Sequence, residues 1–288
     1  AYEVADRDWS SDVCSSDLPG RKYNILPILQ KYIYLYEPKC HTLVEPFLGS
    51  GAVFLNTNYK NYYLADCNED LINLYLYLIN DGDKFIKKCV QFFTPSNNVE
   101  DKYYDLRDRF NNLADNATKA AIFLYLNRHG YNGLCRYNLQ GKYNVPFGRY
   151  TKINLPLESM LAFYQKAQSV KVKIISQDFT DCFNKIKAGS LIYCDPPYVP
   201  LSASASFTKY AKTDFVMADQ EKLVNLVKLA NKNGIGCVIS NHDISITRKL
   251  YQEATKIISF DVKRAISCKG DQRKLVKELL AIYDCKKL

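Results

Sequence analysis

Short apolar runs alternate along the chain with segments whose apolar residues recur at helical spacing. Seven runs have the length of a buried strand, at 42–44, 62–65, 170–176, 191–194, 235–240, 256–261 and 279–283. Helical spacing is found at 25–36, 52–56, 70–93, 118–127, 219–231 and 247–255. Because strands alternate with helices, we predict an α/β fold built on a mostly parallel sheet.

The alternation is interrupted by a segment with little apolar period, at 128–150. It is rich in Gly, Asn, Tyr and Arg, and Gln140-Gly141 lies between two alternating runs, which predicts a β-hairpin over 136–145. Basic side chains interleaved with aromatic ones suit phosphates and bases. We interpret this segment as a nucleic-acid contact; a solvated hairpin is the alternative.

These patterns divide the chain into three parts. Residues 1–18 contain no lysine, repeat Ser-Ser-Asp and show no regular period, which predicts a disordered or extraneous leader, with a natural flexible tail as the alternative. The α/β domain is predicted at 19–67 and 157–288. Between its two halves, 68–156 is predicted to be a mainly helical insertion that carries the hairpin.

Composition narrows the class of protein. Among 288 residues, 47% are hydrophobic, which allows a large core, and the formal net charge of +9 favours a polyanionic partner. The 10 cysteines and 3 histidines show no metal-ligand spacing, so we expect no metal and no disulfides. No apolar stretch is long enough to span a bilayer, and we expect a cytoplasmic protein without a membrane partner.

A first candidate site is Asp195-Pro196-Pro197-Tyr198, which follows the apolar run at 191–194. Both prolines fix φ and lack an N–H, so we expect a rigid loop that holds Asp195 at the carboxyl end of a strand, where open α/β sheets bind ligands. Carboxylate and carbonyl acceptors beside the aromatic face of Tyr198 suit the exocyclic amino group of a planar base. An ordinary strand-to-loop turn is the alternative.

A second candidate site follows the strand at 42–44. Residues 45–51 form a loop with two glycines before a helix, and the next strand ends in Asp66. This is the order of an adenosine-binding βαβ unit, in which glycines admit the ligand to the backbone and the acid accepts the ribose hydroxyls. The lack of Gly-x-Gly-x-x-Gly disfavours a dinucleotide, and a plain βαβ turn is the alternative.

Seven segments together resemble one known family, the DNA adenine-N6 methyltransferases of the Dam type and D12 class. They occur in the family's order from about Gly20 to the C-terminus, at 45–51, 64–66, 123–128, 130–138, 144–150, 193–198 and 239–243. The resemblance implies a seven-stranded, Rossmann-like methyltransferase sheet with an inserted target-recognition domain. It also implies S-adenosylmethionine as methyl donor, S-adenosylhomocysteine as product, no metal, and a monomer acting on double-stranded DNA that contains GATC.

The resemblance implies roles for single residues around the donor and the reacting base. The donor-binding residues would be Gly20, Lys22, Glu45, Pro46, Phe47, Gly49, Ser50, Gly51, Asp66, Asp178, Phe179 and Asp195. Among them, Gly20 and Lys22 would close the donor site, and Asp178 and Phe179 would flank the donor's adenine. The catalytic residues would be Asp195, Pro196, Pro197 and Tyr198. We predict that the Asp195 carboxylate and the Pro196 carbonyl accept the amino hydrogens of a flipped adenine stacked on Tyr198.

In this family the hairpin region reads DNA. The matching residues, which would bind DNA here, are Tyr131, Asn132, Leu134, Arg136, Asn138, Pro146 and Arg149. By resemblance, Arg136 would contact a guanine, and Leu134 and Pro146 would touch the outer bases. Tyr131 would wedge into the base stack, and Asn132 would lie near the partner of the flipped base.

One stretch departs from the family pattern. Where the family has Lys-Trp-Ala-Gly-Gly-Lys, this chain has Asp17-Leu18-Pro19-Gly20-Arg21-Lys22. An acid replaces a base and a leucine replaces an aromatic residue, and we expect that the leader has overwritten the original start. Two alternatives stay open: a catalytically impaired DNA-binding homologue, or an amino-methyltransferase that acts on RNA adenine or on a protein amide.

Overall fold

The computed structural model describes residues 22–33, 36, 39–200, 215–263 and 275–284. The predicted leader, Gly20 and the rest of the departing stretch up to residue 21 lie outside these residues. Lys22 is the first residue of the first helix.

The described residues contain one seven-stranded sheet with the order β3-β2-β1-β4-β5-β7-β6. Strands β1 to β5 run parallel to one another, and β7 is antiparallel to both β5 and β6. The bounds are β1 Thr42–Glu45, β2 Asn61–Asp66, β3 Lys171–Ser176, β4 Ser190–Cys194, β5 Gly236–His242, β6 Lys256–Lys263 and β7 Leu275–Tyr283. The predicted α/β fold with a mostly parallel sheet is confirmed.

Ten α-helices are found in the same residues, with short 3₁₀ turns at Pro95–Asn97 and Tyr131–Gly133. Their bounds are α1 Lys22–Ile33, α2 Ala52–Leu55, α3 Glu69–Asp81, α4 Asp83–Val90, α5 Glu100–Asn112, α6 Ala117–His129, α7 Leu157–Ser169, α8 Phe179–Phe183, α9 Met217–Lys232 and α10 Ser245–Leu250. No element was predicted from the sequence for α5, α7 or α8. Helix α5 was missed because it buries only Tyr103 and Phe110, so charged residues dominate its pattern.

The predicted helix over 70–93 is two helices, α3 and α4. They meet at Gly82, whose φ of +47° lies in the left-handed region that favours glycine. A Cβ at this position would lie 2.9 Å from Cζ of Tyr164. The helix predicted over 247–255 is also shorter than expected, because α10 ends at Leu250.

Strand β4 is buried along its whole length, and its side chains alternate between two cores. Leu191 and Tyr193 belong to a core that extends into helices α3 to α6. Ile192 and Cys194 belong to a second core that includes the apolar side of α9. Burial on both faces makes β4 the central strand, as expected for a parallel sheet covered on both sides.

Helix α6 lies at the centre of the segment predicted to be an insertion. Every residue over 120–127 is buried, because α3, α4 and α5 pack around it. The core that surrounds α6 is continuous with the sheet face that presents Leu191 and Tyr193. Helices α3 to α6 therefore pack on the sheet through one continuous hydrophobic core.

The predicted hairpin over 136–145 is present as one bridge between Tyr137 and Tyr143. Hydrogen bonds from the Asn138 amide to the Lys142 carbonyl, 2.9 Å, and from the Asn144 amide to the Arg136 carbonyl, 3.0 Å, flank the bridge. These contacts confirm the predicted hairpin around the Gln-Gly turn.

His129, near the end of α6, is 1% exposed and stacks on Tyr125 with 3.9 Å between ring centroids. Its Nδ1 donates to the Tyr125 carbonyl oxygen over 2.9 Å, since a carbonyl can only accept. Burial lowers the pKa of His129 to about 4, although the bond to Tyr125 acts in the opposite direction. The folded chain therefore keeps this imidazole neutral at pH values where an exposed histidine is charged.

We predict that this histidine makes the free energy of unfolding fall as the pH drops. Between about pH 6.5 and about pH 4, His129 is protonated in the unfolded chain and neutral in the folded chain. Protons therefore stabilise the unfolded chain, and the free energy of unfolding that is present at neutral pH is lost as the pH falls through this window. The contribution is roughly 2 kcal/mol between pH 7 and pH 5. Urea denaturation at both pH values should show that His129→Gln loses this difference, whereas a variant of the exposed His41, His41→Gln, retains it. An equal pH dependence in His129→Gln and the unmodified chain would contradict the assignment.

Candidate active site

The carboxyl ends of four parallel strands meet at one edge of the sheet. Strand β1 ends in Glu45, β2 in Asp66 and β5 in His242, and Asp195 directly follows β4. Strand β7 runs in the opposite direction, so its early residue Glu278 pairs with His242 at the same edge. The two sites predicted from sequence therefore lie on one edge of the sheet, the place where open α/β sheets bind ligands.

A chain of hydroxyl groups leads to Asp195. The Ser240 Oγ donates to Asp195 Oδ1 over 2.7 Å, and the Tyr193 hydroxyl lies 3.0 Å from Ser240 Oγ. Because Ser240 gives its proton to the carboxylate, Tyr193 donates to Ser240. Burial raises the pKa of Tyr193 well above its usual value, and the negative charge of Asp195 acts in the same direction, so the phenol stays a donor.

The Tyr198 ring is fixed at two points. Its hydroxyl donates to Glu278 Oε2 over 3.2 Å, and its ring makes a T-shaped contact with the His242 ring, with 4.9 Å between centroids. Burial raises the pKa of Tyr198 well above its usual value, with the charges of Asp195 and Glu278 adding to the effect. The phenol therefore remains protonated and holds the ring at a set angle.

The two proline carbonyls differ in their partners. The Pro197 carbonyl accepts from Gln220 Nε2 over 2.7 Å. Within the described residues, no donor contacts the carbonyl oxygen of Pro196, which is a buried residue. Of the two, the Pro196 carbonyl is the one whose acceptor capacity is left for a ligand.

Asn241 lies at the centre of a buried polar network behind the proline loop. Its Oδ1 accepts from the Val199 amide over 3.0 Å, and its Nδ2 donates to the Tyr251 hydroxyl over 2.9 Å and to Gln220 Oε1 over 3.3 Å. Next to it, His242 Nδ1 donates to the Val199 carbonyl over 2.7 Å. These contacts tie the loop to β5 and to the first turn of α9.

Asp66 holds the glycine loop against the end of β2. Its two carboxylate oxygens accept the amides of Gly49 and Asn68, each over 3.0 Å, and the Tyr75 hydroxyl donates to the Gly49 carbonyl over 2.9 Å. Burial raises the pKa of Asp66, while the two amide donors oppose the rise. A carboxylate oxygen can accept more than one hydrogen bond, so Asp66 can accept hydrogen bonds from a ligand while it holds the loop.

Apart from Gly20, Lys22 and Asp195, the other predicted donor-binding residues lie in this loop or at the start of α8. Glu45 and Pro46 are buried, and Gly51 has a φ of +70° with a Cβ position 2.9 Å from the Phe163 ring. Phe47 stacks on the buried Phe179 with 5.4 Å between centroids. The remaining three are the exposed Asp178, which caps α8 through the Thr180 amide, and the half-buried Gly49 and Ser50.

The segment 130–150 is anchored to α5 and to the sheet edge. Tyr103 and Arg107 of α5 both donate to the Val145 carbonyl, over 3.0 and 3.1 Å. At the other side, the Tyr137 hydroxyl donates to Asp70 Oδ2 over 2.6 Å, and Asn68 Nδ2 lies 3.2 Å from Cys135 Sγ. The hairpin is therefore held directly beside the end of β2.

The predicted DNA-binding residues lie together on this segment. Tyr131 is 45% exposed and its amide donates to the Pro146 carbonyl over 2.8 Å. Asn132 has a φ of +52° and donates its amide to the Tyr150 hydroxyl over 2.8 Å. The others are the half-buried Leu134, the half-buried Arg136, which contacts Asn144, the exposed Asn138, which caps the hairpin turn, and the exposed Arg149, which pairs with Glu100.

Four residues at the active-site edge have no role in the sequence analysis: Ser240, Asn241, Gln220 and Glu278. Ser240 and Asn241 could have been found, because they end a predicted strand beside the strand that precedes Asp195. Gln220 and Glu278 carry no such signal in the sequence. Their roles depend on how α9 packs and on the antiparallel direction of β7.

No cluster of His, Cys, Asp and Glu with metal-binding geometry is found in the described part of the chain. Over the same residues, no helix is long and apolar enough to cross a membrane.

We predict that Asn241→Leu lowers the free energy of unfolding by about 3–5 kcal/mol. The substitution strips the Val199 amide, the Tyr251 hydroxyl and the Gln220 amide oxygen of a partner, and each unsatisfied buried group costs about 1–3 kcal/mol. Chemical denaturation measures the loss. The exposed Asn233, changed in the same way to Leu, is the matched control and should shift stability by less than about 0.5 kcal/mol. Similar values for the two variants would show that water replaces the lost contacts.

The sequence is similar to those of known DNA methylases. The chain is 43% identical over 264 residues to a DNA adenine methylase of Salmonella typhi and to one of Escherichia coli (strain K12), over 92% of this chain and 92% of each relative. It is 42% identical over 265 residues to a DNA adenine methylase of Vibrio cholerae, over 92% of this chain and 93% of the relative. The family model of D12 class N6 adenine-specific DNA methyltransferases matches residues 19–266. Since that match spans most of the sequence, the chain belongs to the D12 class of N6 adenine-specific DNA methyltransferases.

Proposed function

We propose that this methyltransferase acts on adenine in duplex GATC, after the adenine has left the base stack. The observation that carries the proposal is the arrangement around Asp195. An oriented carboxylate, the Pro196 carbonyl and a fixed Tyr198 ring form a site for one planar base that bears an amino group. An adenine inside a duplex cannot reach such a site, so the base must be extruded first.

Methyltransferases of this family use S-adenosylmethionine, and the edge beside Asp66 fits such a donor. A Cβ at Gly49 would meet no atom within 4 Å, so the loop is open at this point, and its φ of +49° favours glycine. We assign the ribose hydroxyls to Asp66 and the adenine of the donor to Asp178 and Phe179. Lys22, Gly20 and the loop over 45–51 complete the proposed donor site. When bound, the donor supplies an electrophilic methyl group.

The residues around Asp195 prepare the adenine amino group as a nucleophile. Its lone pair is delocalised into the ring, so acceptors for both hydrogens are needed to draw the nitrogen toward tetrahedral geometry. Asp195 and the Pro196 carbonyl are these acceptors, with Ser240 fixing one carboxylate oxygen. The amino nitrogen bonds to the methyl carbon as the bond from that carbon to the sulfonium sulfur breaks, and the bonding pair stays on the sulfur of the leaving S-adenosylhomocysteine. The nitrogen loses one proton, which Asp195 accepts and passes to solvent. Positioning and electrostatic stabilisation supply the catalysis.

We assign recognition of the DNA to 68–156 and, within it, to the segment 130–150. Arg136 is assigned to a guanine, Leu134 and Pro146 to the outer bases, and Tyr131 to the gap in the stack. Asn132 lies beside Tyr131 and is assigned to the partner of the flipped base. Asn138 and Arg149 are exposed and are assigned to the DNA backbone, in keeping with the net charge of +9.

The first test is transfer of labelled methyl from S-adenosylmethionine to two short DNA duplexes, one with a single GATC and one with the site scrambled. We expect label on the GATC duplex alone. Equal label on both would retain the methyltransferase and refute the sequence specificity. Faster transfer to RNA of the same sequence or to a protein amide would favour those substrates. If no label is transferred, titration with the donor will show whether the chain is an impaired homologue.

We predict that Asp195→Ala lowers the rate of transfer by at least about 10²–10³-fold, because the carboxylate is the acceptor that activates the amino group. DNA binding, measured by fluorescence anisotropy with the GATC duplex, should stay within about threefold of the unmodified chain. Asp261→Ala, which removes an exposed carboxylate from β6, is the matched control and should retain full activity. A near-normal rate in Asp195→Ala would refute the mechanism.

A further inference from the structure

We infer that Asn144 is a positioning residue for sequence specificity, because it holds the Arg136 guanidinium so that one edge of it can read a guanine. The inference rests on the proposed function and deepens it at a single base pair. It assigns the choice of base to a pair of residues on opposite arms of the hairpin.

Three hydrogen bonds join the two residues. Arg136 Nε donates to Asn144 Oδ1 over 2.8 Å, and Arg136 Nη2 donates to the Asn144 backbone carbonyl over 3.1 Å. In the other direction, the Asn144 amide donates to the Arg136 carbonyl over 3.0 Å. The two residues are therefore direct cross-strand partners, and the side chain of one is tied to both the side chain and the backbone of the other.

The nitrogen atoms of Arg136 that Asn144 contacts determine which nitrogen atoms remain to bind a base. A guanidinium is planar and presents two forks of N–H groups, one formed by Nε and Nη2 and one formed by Nη1 and Nη2. Asn144 occupies the Nε and Nη2 fork. The second fork faces away from Asn144, and a fork of this shape pairs bidentately with O6 and N7 of guanine in the major groove.

The hairpin gives this pair a rigid base. On one side the Tyr137 hydroxyl is bonded to Asp70, and on the other the Asn111 side chain bonds both the amide and the carbonyl of Tyr143, over 2.8 and 3.1 Å. Tyr137 and Tyr143 are the residues next to Arg136 and Asn144. A long side chain that is fixed before binding loses less rotamer freedom when it meets DNA, which favours the correct base.

Arg136 and Arg149, the two arginines predicted to bind DNA, have different kinds of partner in the folded chain. Arg149 Nη2 lies 3.2 Å from Glu100 Oε2 in an ion pair whose two side chains are 75% and 45% exposed. Such exposed pairs are weak and leave the cation free to change partner. Arg136 instead contacts a neutral amide, which orients the guanidinium without neutralising its charge. The full positive charge of Arg136 therefore stays available to the DNA.

The experiment measures kcat/KM on duplexes in which only one adenine can accept methyl, the adenine of the other strand being already methylated at N6. Each G·C pair of GATC is replaced in turn by the other base pairs. Arg136→Ala identifies the base pair at which guanine preference depends on Arg136. Asn144→Ala is expected to lower the preference at that same base pair about fivefold to tenfold, and to leave the other positions unchanged.

Two further variants separate positioning from other roles. Asn144→Asp keeps the acceptor for Nε, so it should retain the guanine preference while lowering kcat/KM on all duplexes through its added negative charge. Asn138→Ala removes the side chain that caps the hairpin turn at Gln140 and Lys142, without touching Arg136. It should lower the rate on every duplex by one common factor.

The proposal is overturned if Asn144→Ala slows all duplexes equally and reduces the salt dependence of binding by about one phosphate contact. It is also overturned if Asn144→Asp loses the guanine preference, or if Asn138→Ala loses it at the same base pair. A wild-type chain that prefers GATC, with an unchanged ratio in Asn144→Ala, would refute the inference and leave the proposed function standing. A wild-type chain without any preference would refute both.

Discussion

The loop after β4 has few backbone hydrogen bonds of its own, because its two consecutive prolines, Pro196 and Pro197, have no backbone N–H to donate. The neighbouring strand supplies what is missing. Ser240 contacts Asp195, Asn241 contacts the Val199 amide, and His242 contacts the Val199 carbonyl. Since successive side chains of a strand point to opposite faces, Asn241 holds the loop from one side of the sheet while Ser240 and His242 hold it from the other.

The same edge of the sheet connects the proposed donor site to the proposed DNA surface. Within five residues of the chain, Asp66 contacts the glycine loop, Asn68 contacts Cys135, and Asp70 contacts Tyr137. The end of β2 is thus a common support for both surfaces. A displacement of the hairpin would shift the end of β2, and Asp66 would pass that shift to the glycine loop.

Much of the fold could be predicted because strands here are short apolar runs that stop at polar residues. Asp66 and Asp195 both follow such runs, and parallel strands bring their carboxyl ends to one edge. Helix α5 could not be predicted, since its apolar side consists of two aromatic residues among charges. Glu278 could not be placed either, because its position depends on the insertion of β7, antiparallel, between β5 and β6. Side-chain contacts such as that of Gln220 with Pro197 join residues 23 positions apart, and no local pattern records them.

The strand order also sets when the site can exist during synthesis of the chain. Strand β1 lies between β2 and β4, and Val44 of β1 pairs with Ile192 of β4. The centre of the sheet can therefore form only after Ile192 has left the ribosome. Tyr198 then waits for Glu278, which arrives on β7. Pairings of such long range form slowly and late. A nascent chain on the ribosome therefore carries Asp66 and the glycine loop long before Asp195 and Glu278 emerge, and the contact between Tyr198 and Glu278 can form only when β7 has entered the sheet.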